Sequence, residues 1–182
     1  KTLTHRIAHL VHTGVDPRAI LAITFTNKAS REMRDRIERL LDSTIVSHST
    51  ERLIEKPFVS TFHALGVHIL RENGSHIGIP RTFTILDQTD TIATTKEALK
   101  IHNLDPKQYE PKKIRAVISS QKNELLSLED FRTATSSYFH EIVADVWETY
   151  ERLLKERKAL DFDDLIAKPV YLLKTKHDVR HY

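Results

Sequence analysis

Twice before residue 71 the chain passes from a short apolar segment straight into a helix-patterned one, with only hydroxyl and amide side chains at the join. The first such segment is Ala19-Ile-Leu-Ala-Ile-Thr-Phe25, bounded by Pro17 and by Thr26-Asn27. It suits a buried strand of a parallel sheet. After it, Ala29, Met33, Ile37, Leu40 and Leu41 form one helical stripe, with Thr26 available as N-cap. The second segment, Phe58-Val59-Ser60, repeats the strand signal, and Phe62, Leu65, Ile69 and Leu70 mark a helix that starts beside Ser60 and Thr61. A strand-to-helix junction that occurs twice points to an α/β fold.

The rest of the pattern is helical. Leu3, Ile7, Leu10 and Val11 predict a first helix over 2–13, closed by Gly14. Residues 43–56 read as a polar connection, and Thr82–Leu86 as a third short extended run. From Asp87 onward no strand signal appears. Ile114, Val117, Ile118, Gln121 and Leu125 trace one helical face, and Phe139, Val143, Val146, Tyr150 and Leu153 a longer one. A final helix is expected from Asp161, with Phe162, Leu165, Ile166 and Val170 inward and Pro169 kinking or interrupting it. The expected organisation is an α/β part over 1–86, an all-helical insertion over 87–159 and a return segment over 160–182.

Composition narrows the function classes. The absence of cysteine excludes a disulfide framework, thiolate metal sites and cysteine nucleophiles, and agrees with a reducing, cytoplasmic setting. No apolar run approaches the roughly 20 residues of a membrane-spanning helix, so no membrane partner is expected. With only four glycines, a Gly-rich phosphate cradle is absent from these residues. The formal net charge of +3 permits a nucleic-acid partner, and the excess lies early: residues 1–86 hold 12 basic and 8 acidic side chains.

The junctions carry the chemistry. In ITFTNKAS, Thr24, Phe25, Thr26, Asn27 and Lys28 stand where a strand's carboxyl end meets a helix's amino end, a position whose amides and dipole favour phosphate. STFHAL sets Ser60, Thr61, Phe62 and His63 in the same context. Backbone donors beside an aromatic ring are the equipment for single-stranded nucleic acid. A plainer reading has Thr26 and Thr61 capping helices and Phe25 and Phe62 filling the core. The basic residues from Lys28 to Arg39 read mostly as a solvated face. His5, His9 and His12 share one helix face but lack an acidic or thiolate partner for zinc. Asp161, Asp163 and Asp164 read as first-turn capping carboxylates rather than a magnesium site.

Four segments in register, ITFTNKASREMRDRI, STFHALGVHILR, ISSQKNELL and ALDFDDLI, resemble the UvrD/PcrA/Rep family of superfamily 1 DNA helicases across nearly the whole chain. The resemblance implies a partial RecA-like P-loop NTPase domain carrying an all-helical inserted subdomain. It implies a fragment of an ATP-dependent helicase that translocates three-prime to five-prime on single-stranded DNA and unwinds duplex, with ATP and Mg²⁺ used by the full-length parent. The family's GKT loop would lie upstream and its D-E-x-Q-D element downstream, so the 182 residues alone are expected to be inactive and to carry no bound cofactor. The alternatives are the helicase part of a recombination nuclease subunit, or a non-catalytic nucleic-acid-binding module.

Carried over by motif, Phe25 matches a base-stacking aromatic, Thr24, Thr26 and Asn27 its backbone-contacting neighbours, and Thr61 and His63 a second DNA-contact motif. Phe162 matches a further aromatic of the base-binding channel. Lys112, Lys113, Arg115 and Lys122 fall on the insertion expected to touch duplex, and Lys1 borders the expected nucleotide.

Overall fold

The computed structural model describes residues 2–45, 56–134 and 137–180. These form two compact units, divided between Leu65 and Gly66. No helix among the described residues is long and apolar enough to cross a membrane.

The first unit contains α1 (Thr2–His12), β1 (Leu21–Thr24), α2 (Asn27–Ile45), β2 (Phe58–Thr61) and the start of α3 (Phe62–Asn73). The two strands pair in parallel, with Leu21 opposite Phe58 and Thr24 opposite Thr61. Ile7 and Ala8 of α1, Ile20 and Ala22 of the first strand region, Ile37 and Leu41 of α2 and Val59 of β2 close over one another as its core. β1 is not buried on both faces as the apolar run implied: Ala22 points inward, while Leu21 on the other face is exposed. α2 continues to Ile45, three residues into the expected polar connection, and residues 46–55 of that connection lie outside the described residues. Arg34 of α2 donates to the Val59 carbonyl at 2.6 Å, and Lys56 pairs with Glu38 at 2.8 Å. Part of the basic face of α2 therefore fastens the helix to β2 instead of facing only solvent.

The second unit takes the rest of α3, then β3 (Thr84–Ile85), α4 (Gln88–Ile101), α5 (Pro111–Asn123), α6 (Leu128–Ala134), α7 (Tyr138–Glu156), β4 (Ala159–Leu160), α8 (Asp164–Thr175) and α9 (His177–Arg180). Ala98, Leu99, Ile114, Ile118, Phe131, Val143, Trp147 and Tyr150 form its helical core. A second cluster joins Leu70, Ile79 and Phe83 to Leu160, Leu165 and Leu172. β4 was not expected, since no strand signal was read beyond Asp87, yet it pairs in parallel with β3, Thr84 opposite Ala159 and Ile85 opposite Leu160. This pairing, with the second cluster, draws residues 66–86 into the unit that holds the helical segment, so the compact units divide earlier than position 86. Leu125 does not continue the α5 face; it follows the helix end at φ 58° and is exposed.

Pro169 lies inside α8 without ending it. A proline there cannot donate to the carbonyl four residues back, which is that of Leu165. A Cβ built on Gly66 would stand 1.8 Å from that same oxygen. The carbonyl released by Pro169 thus faces the one position of α3 where the backbone has no side chain, and glycine is required there by contact with another backbone rather than by its own φ.

Candidate nucleic-acid interface

The register that pairs Thr24 with Thr61 brings the two strand ends side by side, and each strand turns into a helix within two residues. Thr24 donates its hydroxyl to the Thr26 carbonyl at 3.1 Å, which tightens the turn. The Thr26 hydroxyl accepts the Ala29 amide at 3.1 Å, and the Thr61 hydroxyl accepts the Ala64 amide at 3.3 Å. Both threonines therefore cap helices, as their residue type allowed. Thr61 is buried, while Thr26, Asn27 and His63 are exposed and Thr24 is half-buried.

The plain reading fails for the aromatic rings. Phe25 is 90% exposed and Phe62 is 48% exposed. Their centroids lie 5.6 Å apart at an interplanar angle of 46°. An apolar pair held outside any core costs stability unless something covers it. Neither α2 nor α3 has an acidic residue in its first turn. The positive ends of both helix dipoles are thus left without a carboxylate of their own, the arrangement that receives an external anion. Phe62 belongs to the second junction but was not among the carried-over site residues. The sequence left open whether its ring fills the core or faces outward.

In the second unit Phe162 is 53% exposed, so the expectation that it points inward is corrected. Its neighbours point the other way. Asp161 and Asp164 are fully buried, and they exchange hydrogen bonds: the Asp164 amide donates to Asp161 Oδ1 at 2.8 Å, and the Asp161 amide to Asp164 Oδ2 at 3.3 Å. α8 consequently starts at Asp164 rather than at Asp161. Capping explains these amides but not the remaining carboxylate oxygens. Lys122 Nζ lies 2.9 Å from Asp161, 2.8 Å from Asp164 and 2.8 Å from Glu151. Arg115 Nη2 lies 3.1 Å from Asp161 and 2.8 Å from Asp163, and the Tyr150 hydroxyl donates to Asp161 at 3.0 Å.

Burial penalises every charge in this cluster, and the partners decide the outcome. For Lys122 burial pulls the ammonium down, but Asp164, Glu151 and Asp161 outweigh it and hold the group well above its usual range. Asp161 is pushed up by burial and pulled further down by Lys122 and Arg115, so it stays below the usual carboxylate range. Asp164 goes the other way, because burial outweighs the attraction of Lys122. With side-chain exposures of 6% for Lys122 and 12% for Arg115, neither is available to duplex DNA, and the expected role is withdrawn for both. Lys112 and Lys113 remain exposed, the latter 3.3 Å from Glu110.

These carboxylates do not fit a magnesium ion either, since each is already held by a lysine or arginine. Among the described residues no group of acidic or histidine side chains is arranged to hold a metal, and His5, His9 and His12 are each exposed. Lys1, expected beside a nucleotide, lies outside the described residues.

Capped junctions with rings turned outward, on a chain carrying these four motifs, agree with the comparison against known families, in which the UvrD/REP helicase N-terminal domain matches residues 1–182. The chain belongs to that family. Among curated relatives, the ATP-dependent DNA helicase PcrA of Leuconostoc citreum is 44% identical over 180 residues, 98% of this chain and 23% of the relative. The protein of the same name from Bacillus subtilis (strain 168) is 42% identical over 183 positions, covering 100% of this chain and 24% of the relative. The chain spans about a quarter of the length of these UvrD/REP relatives.

Proposed function

We propose that the chain supplies part of the DNA-gripping surface of an ATP-dependent helicase that moves three-prime to five-prime along single-stranded DNA and unwinds duplex. The observation that carries this reading is the exposed Phe25–Phe62 pair at the carboxyl ends of two paired parallel strands. Phe25 stacks on a base, a contact worth about 1–3 kcal/mol. Thr24, Thr26 and Asn27 meet the adjoining sugar-phosphate backbone at the amino end of α2, and Thr61 and His63 do so at α3. Phe162 offers a separate stacking face on the second unit, and Lys112 and Lys113 meet duplex. In this reading the α/β residues belong to a RecA-like core with the helical segment as its insertion, and the whole enzyme draws its energy from ATP with Mg²⁺.

The test separates stacking from charge. Phe25→Ala should weaken binding of a short oligothymidine about fivefold or more, while the slope of log K against log salt stays the same, because no phosphate contact is removed. In the full-length enzyme the same substitution should slow unwinding more than it weakens nucleotide binding. Unchanged oligonucleotide affinity together with an unchanged unwinding rate would remove the stacking role.

A further inference from the structure

The turn that carries Phe162 is held from both sides by one side chain. Arg115, 46 residues earlier on α5, places a single nitrogen between Asp161 Oδ2 at 3.1 Å and Asp163 Oδ2 at 2.8 Å, the residues immediately before and after the phenylalanine. Asn123 Nδ2 reaches the other Asp163 oxygen at 3.5 Å, and Lys122 holds Asp161 and Asp164 from below. Three of the four side chains from 161 to 164 are thereby drawn inward, and Phe162 is the one turned out. Its ring and Arg115 both line a cavity of about 390 Å³, together with Asp87, Gln88, Lys112 and Ser119.

Stability alone is a poor reason for this arrangement. Arg115 keeps Nε and Nη1 buried without hydrogen-bond partners, its guanidinium lying over the Tyr150 ring at 5.4 Å. Buried ion pairs are often no more stabilising than apolar side chains of the same volume, but they do fix geometry. We infer that Arg115 is a positioning residue for nucleic-acid binding, setting the pose of the Phe162 ring by clamping Asp161 and Asp163 on either side of it. It makes no contact with DNA itself. The inference rests on the reading that Phe162 stacks on a base, and it gives Arg115 a role different from the duplex contact its position in the sequence implied.

The experiment uses oligonucleotides carrying 2-aminopurine, whose fluorescence is quenched on stacking, with the intact protein and the variants Phe162→Ala, Arg115→Gln, Asp163→Asn and the double variant Phe162→Ala/Arg115→Gln. Gln88→Ala, at a residue that lines the same cavity but lies outside the clamp, is the control. Phe162→Ala should lower affinity about fivefold or more. Arg115→Gln should lower both affinity and quenching by a comparable factor, the double variant should be no worse than Phe162→Ala alone, and the salt slope should not move. Asp163→Asn removes one arm of the clamp with little disturbance of the core and should give a smaller loss of the same kind, so the idea stays testable if Arg115→Gln does not fold. A salt slope shallower by about 0.7 would make Arg115 a direct phosphate contact and overturn the inference. Additive losses, or an Arg115→Gln protein that binds and quenches normally while Phe162→Ala is defective, would overturn it and leave the stacking reading standing. A harmless Phe162→Ala would remove both.

Discussion

In the first unit Phe25 and Phe62 are carried outward by backbone geometry, each at the point where a strand ends and a threonine-capped helix begins. In the second, Phe162 stands on a turn whose flanking carboxylates are bound to a partly buried arginine and a buried lysine 39 to 48 residues away in sequence. One ring display is local and uncharged, made within a few residues. The other is long-range and ionic, and fails if a distant helix is altered. The same kind of exposed aromatic can therefore be robust in one unit and vulnerable in the other, and the two should respond differently to charge removal, acid and loss of a cap.

The largest contrast is expected from Lys122→Met. Removing a buried cation leaves Asp161 and Asp164 without their main partner, a loss of about 3–5 kcal/mol. The single tryptophan, Trp147, is buried in the second unit, so its fluorescence during urea unfolding follows that unit alone. A large drop in midpoint there is expected, with oligonucleotide quenching at Phe162 lost in parallel. An unfolding free energy within about 1 kcal/mol of the parent's would mean that the cluster is not what holds the turn.

The same contrast explains what could be read from the sequence. The junctions at Thr26 and Thr61 were readable because strand run, cap and helical stripe are contiguous, and the parallel pairing follows from their repetition. Whether Phe25 and Phe62 were core or surface was not readable, since an aromatic beside a cap has the same local pattern either way. β4 escaped because two residues, Ala159 and Leu160, are too few to show an alternation. The aspartates were read as caps, which holds for Asp161 and Asp164 but not for Asp163, whose carboxylate caps no backbone amide. The second half of their role depends on Arg115 and Lys122, brought close only by tertiary packing, and the resemblance had placed both among the residues expected to touch duplex. Pro169 was expected to disturb its helix, but the compensation comes from Gly66, about a hundred residues earlier.

Acid should separate the units by a smaller amount. Asp161 and Glu151 are held below their ordinary values of 3.8 and 4.5, so the stability they contribute is present above those values and is lost as pH falls through their folded values. Asp164 is raised, takes up its proton earlier in the folded state and offsets part of that loss. With two groups lowered and one raised, the tryptophan-reported midpoint should fall as pH drops below about 4. A midpoint that does not change between pH 6 and 3 would contradict the ionic account of the second unit.

The smallest effects are expected at the caps, and they test the local half of the comparison. Thr26→Ala and Thr61→Ala each remove one side-chain acceptor from a helix start, worth about 1 kcal/mol. The buried Thr61 should cost more than the exposed Thr26, because its methyl and hydroxyl are also packed. Amide hydrogen exchange reads this at the atoms concerned. The Ala29 amide should exchange about fivefold faster in Thr26→Ala and the Ala64 amide at least as much faster in Thr61→Ala, a factor that follows from about 1 kcal/mol if local opening governs exchange. Neither substitution should alter tryptophan-reported unfolding of the second unit. Unchanged protection of Ala29 would mean that the start of α2 is fixed by something other than its threonine, and that the outward pose of Phe25 does not come from the junction.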